Sequence, residues 1–223
     1  MKLYALQYGK TELAESMIFE GGAKEKKQPI SLLFFLLETE NKKILIDVGC
    51  DTMPGFPLFA FQKPVEVLEA FGVPRNEIDE IILTHSHHDH IDAVHYYKNA
   101  TVHIQKEAFE QGESYLKDNR TELFAGEKEI AKGVLVRHIG GHGKGSSVVL
   151  ISFGEKQIVL CGDECYSKEN LTLNLVTGSS VDLEKSRAFL TEYRKPSYIP
   201  VLFHDPDLVG EIGVKLLFES KNS

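Results

Sequence analysis

The stretch Thr84-His85-Ser86-His87-His88-Asp89-His90 places four histidines and one aspartate within six residues. It directly follows a short apolar run, Ile81-Ile82-Leu83, that is typical of a buried strand. Imidazole and carboxylate groups are ligands that zinc and similar divalent metals accept. The stretch therefore predicts a metal site on a loop at the end of a strand, where a rigid scaffold often presents chemistry.

Three more candidate ligands lie far along the chain. Asp163 and His204 each follow a predicted strand, and His142 lies in the glycine-rich loop 140–146. Together with His85, His87, Asp89 and His90, they give a set of seven nitrogen and oxygen donors. That number suits two metal ions with an open position for a water molecule, as catalysis requires.

The spacing of the first four candidates suggests how they divide. In an extended chain, side chains two residues apart point the same way, so His85 and His87 can bind one metal together. Asp89 and His90 lie where the chain turns into a predicted helix and can face a second metal. The remaining donors complete the two sites: His142 the first, His204 the second, and Asp163, with its two oxygens, as a bridge.

Apolar patterning predicts one α/β domain over residues 1–223. Strands are predicted at 2–8, 16–19, 30–38, 44–46, 78–83, 101–105, 134–136, 148–153, 157–161, 197–202 and 214–218. Helices are predicted at 64–71, 90–97, 106–117 and 182–194, the last capped by Asp182. This order predicts two sheets with helices outside.

The segment 53–61 has no periodicity, because two prolines and a glycine interrupt it. Its three phenylalanines leave two interpretations open. They cover the core as part of a loop, or they form an apolar wall for a substrate or a partner subunit.

Composition excludes several function classes. A net charge of -8 argues against a nucleic-acid or anionic-membrane partner. The three cysteines lack the spacing of a disulfide framework or a structural zinc site, and Met1-Lys2-Leu3 begins no apolar leader. The longest apolar run, 32–37, is far too short to span a bilayer. We therefore expect a cytoplasmic protein that is a monomer or homodimer.

The residues from Thr84 to His90 resemble the HxHxDH signature of the metallo-β-lactamase superfamily. Similar likenesses follow in order: Asp47-Val48-Gly49 resembles its early Asp-x-Gly turn, Gly141-His142-Gly143 its third histidine, Gly162-Asp163 its bridging aspartate and Phe203-His204-Asp205 its last histidine. The resemblance implies a four-layer αβ/βα sandwich, with two mixed sheets and helices on the outer faces. It also implies two divalent metal ions, with zinc expected first and manganese, iron or cobalt as alternatives.

Within the superfamily, residues 162–170 resemble the N-acyl homoserine lactonases, which carry a tyrosine three residues after the bridging aspartate, here Tyr166. The implied reaction opens a lactone ester, with Tyr166 donating to the carbonyl oxygen and Asp89 moving a proton to the leaving group. Alternatives are a thioester hydrolase of the glyoxalase II type or a phosphodiesterase. A tyrosine that merely packs beside the site is a competing interpretation for Tyr166. The chain departs from the lactonases at Ser146-Ser147, where they often carry another histidine.

Overall fold

The computed structural model describes residues 1–220, and in them twelve strands form two mixed sheets. The larger sheet has the spatial order β12-β1-β2-β3-β4-β5-β6. Its strands are β1 (Lys2–Ala14), β2 (Lys27–Glu38), β3 (Lys43–Ile46), β4 (Glu80–Ile82), β5 (Thr101–Gln105), β6 (Arg120–Phe124) and β12 (Gly213–Glu219). The smaller sheet, in the order β11-β10-β9-β8-β7, contains β7 (Glu127–Ala131), β8 (Val134–His138), β9 (Ser147–Phe153), β10 (Lys156–Leu160) and β11 (Tyr198–Val201).

The six α-helices are short, and two of them cover the outer faces of the sheets most clearly. Their ranges are α1 (Glu15–Ile18), α2 (Pro64–Ala70), α3 (His88–Ile91), α4 (Lys106–Gly112), α5 (Lys168–Leu173) and α6 (Leu183–Tyr193) within residues 1–220. Helix α2 packs on the outer face of the larger sheet, and α6 packs on the outer face of the smaller one. A separate apolar cluster lies between the two sheets. The predicted four-layer sandwich is therefore confirmed.

The middle of strand β2, residues 32–37, is an unbroken apolar run because both of its faces are covered. Leu32, Phe34 and Leu36 join the cluster under the outer helices. Leu33 and Phe35 point to the opposite side and join the cluster between the sheets. Because successive side chains alternate across a strand, a stretch covered on both faces takes apolar residues at successive positions.

The pairing of β3 with β4 positions the metal-ligand candidates. The two strands run parallel, with Ile46 opposite Ile82. Parallel neighbours leave a sheet at the same edge, so the segments that follow them meet there. Asp47 and Thr84 are thus brought together, although 37 residues separate them.

Several predicted elements need correction. The strand predicted at 16–19 is wrong: the chain forms α1 there, because β1 continues to Ala14 and must turn back to pair with β2. The helix predicted at 106–117 ends at Gly112, and a side chain at this glycine would place its Cβ 2.9 Å from Ile91 Cδ1.

Other predicted boundaries shift or were missed. The helix predicted at 90–97 is divided into α3 and a 3₁₀ helix at Asp92–Tyr96. Helix α5 was not predicted, although Ser167 and Asn170 form a capping box at its start. Within residues 1–220, no helix has the length and apolar character needed to cross a membrane.

Candidate metal centre

Four of the predicted ligands form one compact group at the edge of the sheets. The ligand atoms of His85, His87, His142 and Asp163 all lie within 4.8 Å of one another. His142 Nε2 lies 2.9 Å from His87 Nδ1 and 3.5 Å from Asp163 Oδ2. His85 Nε2 lies 3.7 Å from the same carboxylate oxygen. The geometry is that of a four-donor site facing a common point.

The other three predicted ligands form a second group beside the first. Asp89, His90 and His204 also present one donor atom each within 4.8 Å. His90 Nε2 and His204 Nε2 each lie 3.1 Å from Asp163 Oδ1. Asp163 therefore turns one oxygen to each group, which is the arrangement of a bridging carboxylate. All seven candidates meet at one place, divided as the spacing suggests.

Hydrogen bonds on the outer side of the centre fix which ring nitrogens face inward with a lone pair. Thr84 Oγ1 donates to Asp47 Oδ2 over 2.7 Å, so at 3.0 Å from His85 Nδ1 it must accept the hydrogen of that ring. His90 Nδ1 lies 2.6 Å from Asp47 Oδ2 and donates to it. His204 Nδ1 donates to the backbone carbonyl of Ser31 over 2.9 Å. In their neutral forms, all three rings therefore direct an unprotonated Nε2 at Asp163.

The hydrogen bonding of the inward-facing Nε2 atoms tests whether a metal ion fits the site. Among residues 1–220, neither His85 Nε2 nor His90 Nε2 has a hydrogen-bond partner, although both are buried. The approach of His90 Nε2 to Asp163 lacks hydrogen-bonding geometry. Buried polar atoms without a partner are rare, and converging lone pairs beside a carboxylate are satisfied by a cation. The donor set fits divalent metal ions.

The electrostatics of the centre agree with this fit. Burial, together with the neighbouring His90, holds the pKa of His85 well below the ordinary value, against the opposing effect of Asp163. Burial also acts to lower the pKa of His90, but Asp163, Asp89 and Asp47 together outweigh it and raise this pKa well above the ordinary value. Burial raises the pKa of Asp163, yet His90 and His204 hold its net pKa well below the ordinary range. Protons and cations therefore compete for the same nitrogens.

Glu164 is a site residue that the sequence reasoning missed. Its buried carboxylate accepts the backbone N–H of Gly141 over 3.0 Å and that of His142 over 3.1 Å. It also accepts the hydroxyl of Ser146. A Cβ on Gly141 would lie 2.4 Å from Glu164 Oε2, so the loop needs glycine there. Ser146, the departure noted in the sequence, thus helps to fix the loop that carries His142.

Tyr166 is buried between the metal-ligand candidates. Its ring centroid lies 5.1 Å from that of His204, and its hydroxyl lies 3.2 Å from Ser179 Oγ. Burial raises the pKa of this phenol well above the ordinary value, so it is a neutral donor at working pH. His88, in contrast, turns away from the centre: its Nε2 lies 2.9 Å from the backbone oxygen of Thr52.

A cavity of about 470 Å³ opens onto the centre. Its polar end is formed by ligand candidates together with Tyr166 and Ser179. Apart from His88, the rest of the wall is apolar and consists of Leu13, Met17, Ile30, Met53, Pro54 and Phe56. Within the segment 53–61, Phe61 packs on the core, as the first interpretation expects, whereas Phe56 lines the cavity.

The sandwich and its histidine–aspartate centre define the class of a metal-dependent hydrolase. The family model of the metallo-beta-lactamase superfamily matches residues 33–199, and the chain belongs to this superfamily.

Characterised relatives narrow the comparison. An N-acyl homoserine lactonase from Bacillus sp is 25% identical over an alignment that covers 98% of each chain. The N-acyl homoserine lactonase AiiA from Bacillus thuringiensis subsp. kurstaki is 24% identical, over 76% of this chain and 78% of AiiA.

Solved structures share the same fold. An N-acyl homoserine lactone hydrolase with N-hexanoyl-L-homoserine at its catalytic metal centre superposes with a TM-score of 0.81 and 23% identity, covering 92% of this chain and 93% of that one. AidC, a dizinc quorum-quenching lactonase, superposes with a TM-score of 0.73 and 18% identity, covering 99% of this chain and 95% of AidC.

Proposed function

We propose that the protein is a dinuclear metal hydrolase that opens a lactone ester, with an N-acyl homoserine lactone as the substrate. The observation that carries this proposal is the cavity, in which an apolar wall leads to seven converging metal-ligand candidates and a neutral phenol. An acyl chain suits the wall, and a carbonyl group at its end would lie beside Tyr166. The lactonase relatives support the same substrate class.

The ligand assignment follows the two groups. We propose His85, His87, His142 and Asp163 for the first metal, with Asp89, His90, His204 and Asp163 for the second. Zinc is the first candidate because the donors are nitrogen and oxygen, and because a dizinc lactonase shares the fold. When bound, two such ions would polarise a carbonyl group and lower the pKa of a shared water.

The protein's own side chains then have separate roles. The hydroxyl of Tyr166 donates to the substrate carbonyl oxygen and to the negative charge that develops on it. A carboxylate oxygen of Asp89 takes the proton of the attacking water and delivers it to the leaving alkoxide. The position of Asp89 is fixed from behind, because the Tyr8 hydroxyl donates to its backbone oxygen over 3.1 Å.

The charge of the cavity disfavours a phosphodiester substrate. Among the described residues that line it, none is a lysine or arginine. Lysine and arginine side chains commonly add charge-assisted hydrogen bonds to a phosphate group, and the described lining of this cavity offers none. A thioester remains the alternative substrate, because it shares the uncharged carbonyl group and an apolar chain. The cysteines Cys50, Cys161 and Cys165 are buried and free, which supports the proposal of a reducing, cytoplasmic location.

The test measures metal content and substrate preference on the same preparation. Metal per chain is determined by mass spectrometry. Hydrolysis is followed by acid release from a lactone and a thioester with matched acyl chains, and from a phosphodiester with an alkyl chain of the same length. We expect two metals per chain and the highest kcat/KM for the lactone. Fewer than two metals together with no lactone turnover would refute the proposal, whereas preferential thioester turnover would select the alternative.

A further inference from the structure

Ser179 connects a proposed metal ligand to the proposed hydrogen-bond donor. Its hydroxyl oxygen lies 3.2 Å from His142 Nδ1 and 3.2 Å from the Tyr166 hydroxyl. The other ring nitrogen of His142 faces His87 and Asp163 inside the centre. Ser179 is thus the middle member of a three-residue chain that begins at the centre and ends at the tyrosine.

Hydrogen counting shows which polarity this chain can take. When Nε2 of His142 holds a metal ion, Nδ1 must carry the ring hydrogen and can only donate. Ser179 Oγ then accepts from the ring, which leaves its single hydrogen available to donate to the oxygen of Tyr166. In that arrangement the hydrogen of Tyr166 is not used within the chain and is available to an acceptor at the centre, where Asp163 provides one and a substrate oxygen would provide another. The reverse polarity would turn the Tyr166 hydrogen toward Ser179 and away from a substrate.

The backbone around Ser179 is held in place by several contacts. Gly178 packs so closely that a Cβ there would lie 1.9 Å from the backbone oxygen of Ser16. The next side chain, Ser180, turns to Thr177 at 2.8 Å and to Ser186 at 2.9 Å. Val181 N–H donates to the backbone oxygen of Gly141, the residue before His142, over 2.9 Å. Ser179 is therefore fixed relative to both of its partners.

We propose that Ser179 is a positioning residue that directs the Tyr166 hydroxyl toward the substrate and makes this direction depend on metal loading of His142. The proposal rests on the proposed function for its catalytic consequence. Its structural part, the direction of the hydrogen bonds, can be measured without any substrate.

The kinetic test uses single and double variants. We expect Ser179→Ala to keep two metals per chain and to lower kcat about fivefold, as the loss of one neutral hydrogen bond predicts, with little change in KM. Ser179→Thr, which keeps the hydroxyl, should restore most of kcat. Because Ser179 acts through Tyr166, adding Ser179→Ala to Tyr166→Phe should produce no further loss. Ser152→Ala is the matched control, since Ser152 is exposed on β9 and does not line the cavity at the centre, and it should leave kcat unchanged.

The second measurement uses NMR on protein labelled at histidine nitrogens and at the tyrosine ζ carbon. On zinc loading, His142 should carry its hydrogen on Nδ1. The Tyr166 ζ-carbon signal is assigned by its loss in Tyr166→Phe. Its chemical shift should change more on zinc loading in the wild type than in Ser179→Ala. Ser179→Cys has a side chain of similar size but is a weak hydrogen-bond donor, so its zinc-induced shift should resemble that of Ser179→Ala. This variant replaces Ser179→Ala in the measurement if the alanine variant folds poorly.

The outcomes separate the two proposals. Equal zinc-induced shifts in the wild type and Ser179→Ala would overturn the role of Ser179, whatever the substrate is. Additive losses in the double variant, or loss of metal from Ser179→Ala, would overturn it as well. Absence of ester hydrolysis by zinc-loaded wild type, with the expected NMR differences intact, would instead refute the proposed function alone.

Discussion

The Oδ2 atom of Asp47 lies 2.6 Å from Nδ1 of His90, and both side chains are fully buried. The same carboxylate accepts the backbone N–H of Thr84 over 2.7 Å and the hydroxyl of Thr84 over 2.7 Å. Through Thr84 it also reaches His85. Asp47 has a backbone φ of 55°, an uncommon conformation for a residue other than glycine. One strained aspartate therefore orients a proposed ligand of each metal.

Replacing this aspartate should weaken metal binding without removing any ligand. In Asp47→Asn, a single amide oxygen must serve donors that now share two carboxylate oxygens, and the negative charge is lost. We expect metal affinity to fall about 10- to 100-fold, the usual cost of losing a partner behind a ligand histidine. Competition with a chelator measures this change. Asp79→Asn is the control, since Asp79 accepts the backbone N–H of Lys43 far from the centre. Unchanged affinity in Asp47→Asn would contradict this role.

Two neighbouring histidines offer a matched test of the ligand assignment. His87→Ala removes a proposed ligand, so metal and activity should be lost together. His88→Ala removes the adjacent ring, which bonds to Tyr115 at 3.0 Å and to the Thr52 backbone. It should therefore retain two metals per chain. Metal analysis of the purified variants distinguishes the pair, and equal metal content in both would argue against His87 as a ligand.

Glu164 should contribute to stability as well as to the position of His142. In Glu164→Ala, the buried N–H groups of Gly141 and His142 lose their acceptor, so we expect the free energy of unfolding to fall by about 2–3 kcal/mol. Glu164→Gln keeps one acceptor oxygen and should lose less. Urea unfolding of metal-free protein measures both. The exposed neighbour Glu169 provides the control, and its alanine variant should match the wild type. A Glu164→Ala variant as stable as that control would show that the loop does not depend on Glu164.

His103, which is not one of the proposed metal ligands, should make stability depend on pH. Burial lowers its pKa below the ordinary value of 6.5, against the opposing effect of Glu80, whose carboxylate lies 2.8 Å away. Lys128 Nζ lies 3.1 Å from the other ring nitrogen. As pH falls from 6.5 toward the folded-state pKa, the unfolded chain binds more protons than the folded one. The contribution of this histidine is therefore present above pH 6.5 and is lost as pH falls below it.

The measurement is urea unfolding between pH 7.5 and pH 5. His103→Gln should show a shallower loss of stability on acidification than the wild type, because one titrating group has been removed. His95→Gln is the control, since His95 is exposed. An identical pH dependence in His103→Gln and the wild type would show that His103 is not the group responsible.

The sequence predicted more of the centre than of its surroundings. All seven ligand candidates were named from residue type and order, because nitrogen and oxygen donors are recognisable wherever they occur. Their meeting in two groups joined by Asp163 required the fold, since His85 and His204 come from segments far apart in the chain. The ligand roles themselves await the metal analyses above.

Among the helices and strands, too, some were predictable from the sequence and others required the structure. The strand around the apolar run 32–37 was predictable, because a stretch buried on both faces takes apolar side chains at successive positions. The strand predicted at 16–19 was wrong, because these apolar residues lie in the connection between two long paired strands and form α1 there. A local pattern cannot reveal how far a partner strand extends.

By itself, then, the sequence indicated the superfamily through motifs in a fixed order, the layered fold that this resemblance implies, and the candidate donor residues. Only the tertiary structure revealed most of the groups that stand behind the proposed ligands. Ser31 contacts His204 across 173 residues of chain, and Glu164 and Ser179 look like ordinary loop residues in the sequence. The physical reason is that a hydrogen bond depends on distance and direction within about 3 Å, which are fixed when separate segments pack together. The dense histidine–aspartate cluster at 84–90 is one part of a centre to which loops from both sheets contribute.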